Sequence, residues 1–98
     1  WRQQIKEEWG YECAYCGSQD KLTIDHIVPK AKGGVDFTKN LLCACHKCNQ
    51  DKSYTPMEDW YLSQEFFDVE RYEKIKKWME PEEAVNLYRY GSRKNNVI

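Results

Sequence analysis

Thr23-Ile24-Asp25-His26-Ile27-Val28-Pro29 is the stretch on which the reading of this chain turns. Its β-branched residues Thr23, Ile24, Ile27 and Val28 predict a strand, and Pro29, lacking an N–H, ends the pairing. Neighbouring side chains on a strand point to opposite faces, so regular geometry aims Asp25 and His26 apart. At a strand's end the two can still serve one site from either side of the backbone. A carboxylate suits a hard cation, and an imidazole can take a proton. A turn or a surface pair would also explain an isolated Asp-His. The cysteines around the stretch and two downstream asparagines decide between these readings.

The five cysteines are Cys13, Cys16, Cys43, Cys45 and Cys48. An odd number does not close a disulfide framework. Two Cys-x-x-Cys pairs, Cys13/Cys16 and Cys45/Cys48, each offer two thiolates from one tight turn, and together they make a tetrahedral structural zinc site. One pair alone would also suit redox chemistry. Cys43 could stand in for Cys45, but Cys45-His46-Lys47-Cys48 has the knuckle spacing. Cys43, following Leu41-Leu42, is expected to pack as a small buried hydrophobe. His46 is expected on the surface or behind the ligands. Zinc thiolates and reduced cysteine together imply an intracellular, reducing, cytoplasmic setting.

Outside the knuckles, Trp1, Ile5 and Trp9 recur at i, i+4 and i+8 and predict a short amphipathic helix over residues 1–9, stopped at Gly10. Leu22–Val28 is the first strand, and the stretch 30–39 with Gly33-Gly34 is a loop. Leu41–Ala44 is a second short strand and His46–Ser53 a helix of about two turns. The result is strand, loop, strand, helix, clamped at both ends by zinc, in an α+β chain. Thr55-Pro56-Met57-Glu58 reads as a capping box opening a helix to about Gln64. Asp68 caps another, with Val69, Tyr72, Ile75 and Met79 on one face. A last helix follows Pro81 and stops at Gly91, with a loose tail from Ser92. The aromatic residues of this half are expected in the core and not as a base-stacking platform.

A chain of 98 residues with net charge −1 implies one domain, 1–98, with a modest core that a structural metal would reinforce. Strongly basic nucleic-acid binders look different, so any phosphate contact must be local. Lys30, Lys32, Lys39, Lys47 and Lys52 all fall near the Asp-His stretch, each of them also explicable as ordinary solvated surface. No apolar run approaches the roughly 20 residues of a membrane helix, so no membrane partner is expected. No signal-peptide pattern is visible, although a start at Trp1 is compatible with a trimmed chain.

Asn40 comes 14 residues after His26, and Asn49 nine later, directly after Cys48. With a Cys-x-x-Cys before and a Cys-x-x-Cys-Asn after, this order resembles the HNH endonucleases in the variant with Asn at the third place. The resemblance covers residues 13–52, includes the Gly33-Gly34 loop and Lys52, and leaves out the helical extension over about 55–90. It implies a ββα-metal nuclease unit over about 13–53 and hydrolysis of DNA phosphodiesters; the single set of site residues, without a basic patch, adds the expectation that one strand is cut at a time. Asp25 and Asn49 would each give an oxygen to a catalytic Mg²⁺ or Mn²⁺. His26 would be the general base, and Asn40 would tie down the loop that fixes it. Lys52 would meet a phosphate or stand solvated. One site per chain favours a monomer, though nothing in the sequence excludes a dimer. The competing reading is a non-catalytic zinc-knuckle module that binds nucleic acid or protein. A zinc nucleobase deaminase is excluded, because Ile27 and Val28 follow His26 where a His-x-Glu stretch is required.

Overall fold

A computed structural model describes residues 1–80. Its elements, in order, are α1 (Arg2–Glu8), β1 (Leu22–His26), β2 (Leu41–Cys45), α2 (His46–Lys52), α3 (Met57–Tyr61) and α4 (Val69–Trp78). The fold is α+β, built on one antiparallel hairpin in which Leu22 faces Cys45, Ile24 faces Cys43 and His26 faces Leu41.

β1 ends at His26, two residues short of the expected Val28, because the chain turns there toward its long connection. Ile27 N still donates to Asn40 O at 2.8 Å, but the ladder is finished. The connection holds two short 3₁₀ turns, Lys30–Lys32 and Thr38–Asn40. Gly34 passes so close to the backbone at Val28 that an added Cβ would lie 1.7 Å from the Val28 carbonyl oxygen. No residue with a side chain fits that crossing.

β2 is buried along its whole length, since α1, β1 and the first cysteine turn all cover it. The first turn is docked by Ala14 N on Cys43 O at 2.8 Å. Cys43 is sealed at 0% exposure, and burial pushes its thiol up to about 11. It packs as a hydrophobe, and His46 lies on the surface. Tyr15, Trp60 and Tyr61 are core residues in edge, tilted and stacked contact, with ring centroids 5.0–6.0 Å apart.

α4 closes the first cysteine turn from outside. Arg71 donates to Cys13 O at 3.2 Å and pairs with Glu12 at 2.9 Å. Its guanidinium lies where a side chain on Gly17 would go, and Gly17 has φ +83°, the left-handed conformation that favours glycine. Asp68 caps α4 by accepting from the Glu70 and Arg71 amides.

Several local expectations are corrected. Trp1 is 68% exposed, so only Ile5 and Trp9 of the α1 stripe reach the core. Thr55 does not cap α3; Pro56 holds the N-cap position in extended conformation, without a side-chain bond. Glu58 is drawn instead to Tyr72 Oη at 2.6 Å and Lys76 at 2.7 Å. α3 ends at Tyr61, short of Gln64. Val69 is 57% exposed, leaving Ile75 as the buried anchor of its face, with Tyr72 and Met79 half-buried. The helix expected after Pro81, its stop at Gly91 and the tail from Ser92 lie outside the described residues. No helix among the described residues is long and apolar enough to cross a membrane.

Candidate active site

Two centres flank the hairpin. At one end, the sulfurs of Cys13, Cys16, Cys45 and Cys48 lie within 4.8 Å of one another. Cys16 and Cys45 are 3.8 Å apart, the edge length of a tetrahedron whose centre is about 2.3 Å from each sulfur, as in zinc tetrathiolates. Backbone amides point at the sulfurs: Tyr15 N at Cys13 and Cys48 N at Cys45, each at 3.4 Å. Cys45 therefore ends β2, caps α2 and lends its sulfur to the cluster. A hydrogen bond from the Cys48 thiol holds Cys13 down at about 5 and correspondingly pushes Cys48 up. The sulfurs are thus close enough to compete for one proton, and the donor set fits a soft or borderline divalent ion.

At the other end stand the residues of the Asp-His stretch. Asp25 is 5% exposed. Its Oδ2 accepts from Tyr15 Oη at 2.7 Å and faces Lys52 Nζ at 3.3 Å. Burial raises its carboxyl above the ordinary range, opposed by Lys52 and Tyr15. Burial likewise lowers Lys52, opposed by Asp25. For both partners desolvation outweighs the attraction between them.

Lys52 is the main correction to the sequence reading. It is 0% exposed and its ammonium points inward, donating to His26 O at 2.7 Å. Neither a phosphate nor bulk water meets it in this position. α2 packs across β1, and that brings the side chain of its last residue under the strand instead of into solvent.

Asn49 donates from Nδ2 to Thr23 Oγ1 at 2.8 Å and to Ile24 O at 3.4 Å. Ile24 O can only accept, so the amino group must face it and Oδ1 points elsewhere. Thr23 Oγ1 spends its own proton on Ala44 O at 2.8 Å. Thr23 and Asp25 share one face of β1 by strand alternation, so the Asn49 amide reaches the face that carries Asp25.

His26 is half-buried, and its Nε2 is 2.7 Å from Asp36 Oδ1. Asp36 lies in the loop and is exposed. Its carboxyl is lowered, first by the bond to His26 and then by Lys30, whose Nζ is 3.1 Å from Oδ2. An ionised carboxylate only accepts, so Nε2 carries the hydrogen and Nδ1 of the neutral ring is an acceptor. Asn40 is buried and knits the loop. Its Oδ1 accepts from Val28 N at 2.8 Å, while Nδ2 donates to Val28 O at 3.0 Å and Val35 O at 2.8 Å. Among the described residues it bonds to main chain alone.

The structure thus joins Asp25, Lys52 and Tyr15 directly and brings Asn49 to the same strand face. His26 is held from the loop side by Asp36, and no direct bond links its ring to Asp25 or Asn49. Sequence reasoning missed Tyr15 and Asp36. For Tyr15 the available signal was a large polar-tipped aromatic locked between two cysteines. For Asp36 it was a lone acid among Lys30, Lys32 and Lys39.

Residues 13–66 match a family model described as HNH endonuclease. Over 64 residues the chain is 42% identical to the CRISPR-associated endonuclease Cas9 of Corynebacterium diphtheriae, covering 61% of this chain and 6% of that protein. It is 40% identical over 55 residues to the Cas9 of Actinomyces naeslundii, covering 52% of this chain and 5% of that one. The crystal structure of the Type II-C Cas9 enzyme from Actinomyces naeslundii superposes with a TM-score of 0.63 at 28% identity, over 90% of this chain and 10% of that one. The chain therefore spans only a small part of the length of these relatives.

Proposed function

Because the chain belongs to the HNH endonuclease family, we propose that it hydrolyses DNA phosphodiester bonds with a divalent cation, nicking one strand at a time. The observation that carries this reading is the tie of Asn49 to Thr23 and Ile24 through Nδ2, which brings the Asn49 side chain from α2 to the face of β1 that holds Asp25 and leaves its Oδ1 without a protein donor among the described residues. One carboxylate and one amide oxygen are hard donors suited to Mg²⁺ or Mn²⁺ and leave positions for water and phosphate. Among the described residues nothing donates to Asp25 Oδ1.

When bound, such a cation supplies charge stabilisation for the scissile phosphate and the leaving oxygen. The protein's own groups do the rest. His26 takes the proton of the attacking water at Nδ1, the nitrogen left free by Asp36. Asn40 fixes the loop that carries Asp36 and the end of β1 that carries His26. The four-cysteine cluster takes one structural zinc and holds α2 against the hairpin, so that Asn49 stays over β1. Five cysteines without a disulfide among the described residues fit a reducing, intracellular compartment. A single set of site residues in 98 supports action as a monomer.

The test is incubation of supercoiled plasmid with zinc-loaded protein and Mg²⁺ or Mn²⁺, beside His26→Ala, Asp25→Ala and Asn49→Ala. Cleavage that requires the added cation and fails in all three variants is expected, with raised Mn²⁺ partly restoring Asn49→Ala. A folded, zinc-loaded parent that cleaves nothing would leave a zinc-knuckle binding module as the better reading.

A further inference from the structure

Tyr15 lies between two of the zinc-cluster cysteines, yet its hydroxyl ends on the other centre. The side chain is 0% exposed, and among the described residues the one hydrogen bond of its hydroxyl is to Asp25 Oδ2 at 2.7 Å. Everything around it is determined by the core. Its amide donates to Cys13 Sγ at 3.4 Å, and its carbonyl accepts from Tyr61 Oη at 2.7 Å. The ring is walled by Trp60 and Tyr61, with centroids 5.0 and 5.3 Å away. A phenol gripped in this way has no freedom to follow Asp25, so the carboxylate must follow the phenol. Lys52 Nζ approaches the same Oδ2 at 3.3 Å from the α2 side.

We propose that Tyr15 is a positioning residue for Asp25: with Lys52 it occupies Oδ2, fixes the carboxylate plane and leaves Oδ1 as the single oxygen offered to the catalytic cation. This rests on the reading of Asp25 as a ligand. Two donors on one carboxylate oxygen disfavour bidentate ligation, because the pinned oxygen would have to give up a hydrogen bond to turn toward the metal. The arrangement also links the two centres mechanically. The turn that holds Cys13 and Cys16 carries the hydroxyl that aims Asp25, so the state of the zinc site is felt at the hydrolytic site through one side chain.

A buried tyrosine needs a hydrogen-bond partner in any case, and Asp25 could merely be that partner. A purely structural bond would affect stability and leave cation affinity unchanged. Tyr15→Phe keeps the ring and its packing and removes only the hydroxyl. In the zinc-loaded full chain without DNA, Mn²⁺ affinity is read by the electron paramagnetic resonance signal of free Mn²⁺. Zinc content and cooperative melting are measured on the same samples. Tyr15→Phe should keep its zinc and bind Mn²⁺ about 10- to 100-fold more weakly, the usual consequence of removing a partner behind a ligand. Its plasmid cleavage should recover toward the parent's as Mn²⁺ is raised. Parental Mn²⁺ affinity in Tyr15→Phe, with that affinity lost in Asp25→Ala, would overturn the positioning role alone. Parental affinity in Asp25→Ala would overturn the ligand reading beneath it. Should the Phe variant not fold, a crystal structure of the parent with Mn²⁺ decides. Ligation through Oδ1 with the phenol still on Oδ2 is expected, and bidentate Asp25 overturns the proposal.

Discussion

Lys52 Nζ stands 3.3 Å from Asp25 Oδ2, and both side chains are almost wholly removed from solvent. A cation that tethers the candidate metal ligand from behind is a different object from a cation that greets a phosphate. Its charge is spent inside the protein, on Asp25 and on the carbonyl of His26 at 2.7 Å. That consequence is open to measurement.

Lys52→Met should strand a buried carboxylate and destabilise the protein by about 3–5 kcal/mol, as breaking a buried ion pair from one side does. The loss should depend on pH. Burial already raises the Asp25 carboxyl, and removing its cation raises it further. A raised carboxyl contributes stability that is present below its unfolded pKa and lost as pH rises through the folded one. Urea denaturation at pH 5 and pH 8 should therefore show a larger gap between variant and parent at pH 8. An equal gap would mean that Asp25 does not carry the charge.

Removal of zinc should unfold the hairpin unit, because the cluster joins residues 13–16 to residues 45–48 across the sheet and binding free energy here is folding free energy. Metal analysis should find one zinc per chain, lost on Ser substitution at Cys13, Cys16, Cys45 or Cys48. Cys43→Ser should retain zinc. Its thiol is sealed in the core and raised to about 11, the state of a packing residue. Zinc loss from Cys43→Ser without unfolding would reassign the ligand set.

His26→Ala should lower cleavage by about 10²–10⁴-fold with cation affinity unchanged, the range of a positioned general base. Asp36→Ala should lower it about two- to tenfold, the worth of one exposed hydrogen bond. The Asp36 carboxyl is lowered, so its support is present above the ordinary carboxylate range and lost as pH falls through the lowered value. Asp36→Ala and parent should therefore differ at neutral pH and converge in acid. Rates under single-turnover conditions check both statements.

Asn40→Ala should cost several kcal/mol, since it orphans Val28 N, Val28 O and Val35 O, each worth about 1–3 kcal/mol when left unpaired. Gly34→Ala should be at least as damaging, because its Cβ has only the Val28 carbonyl to enter. Hydrogen exchange at Val28 N reads both effects locally. Unchanged protection there would show that the loop is held by something other than the Asn40 amide.

Plasmid time courses under limiting enzyme should show open circles before linear molecules. One set of site residues should attack one phosphodiester at a time, and a chain with net charge −1 should hold DNA weakly and in a salt-sensitive way. Release therefore precedes a second cut. Linear product at the earliest times, with a dimer in sedimentation, would mean that two sites act together.

Much of the architecture is written in local chemistry. Two residues between cysteines bring two sulfurs to one turn whatever the rest of the chain does, so the cluster of Cys13, Cys16, Cys45 and Cys48 was legible before any coordinates. The β-branched run around Asp25 and the Asp68 cap of α4 were legible for similar reasons. Each depends on residues within one turn or one strand. The capping box at Thr55 was a local signal too, but Glu58 found Tyr72 and Lys76, partners 14 and 18 residues away, and the distant contacts won.

The sequence by itself determined the cysteine pairs and the order in which Asp25, His26, Asn40 and Asn49 follow one another. What only the tertiary structure decided is where their hydrogen bonds go. Lys52 looks like every other lysine in the chain until α2 is laid across β1 and its ammonium has nowhere to point but inward. Tyr15 reaches Asp25 across 10 residues, and Asp36 reaches His26 across another 10, through turns whose paths depend on Gly17, Gly34 and Asn40 packing against other elements. A side chain's neighbours in sequence limit its backbone. Its partners are set by which surfaces become buried together, and burial is a property of the whole fold.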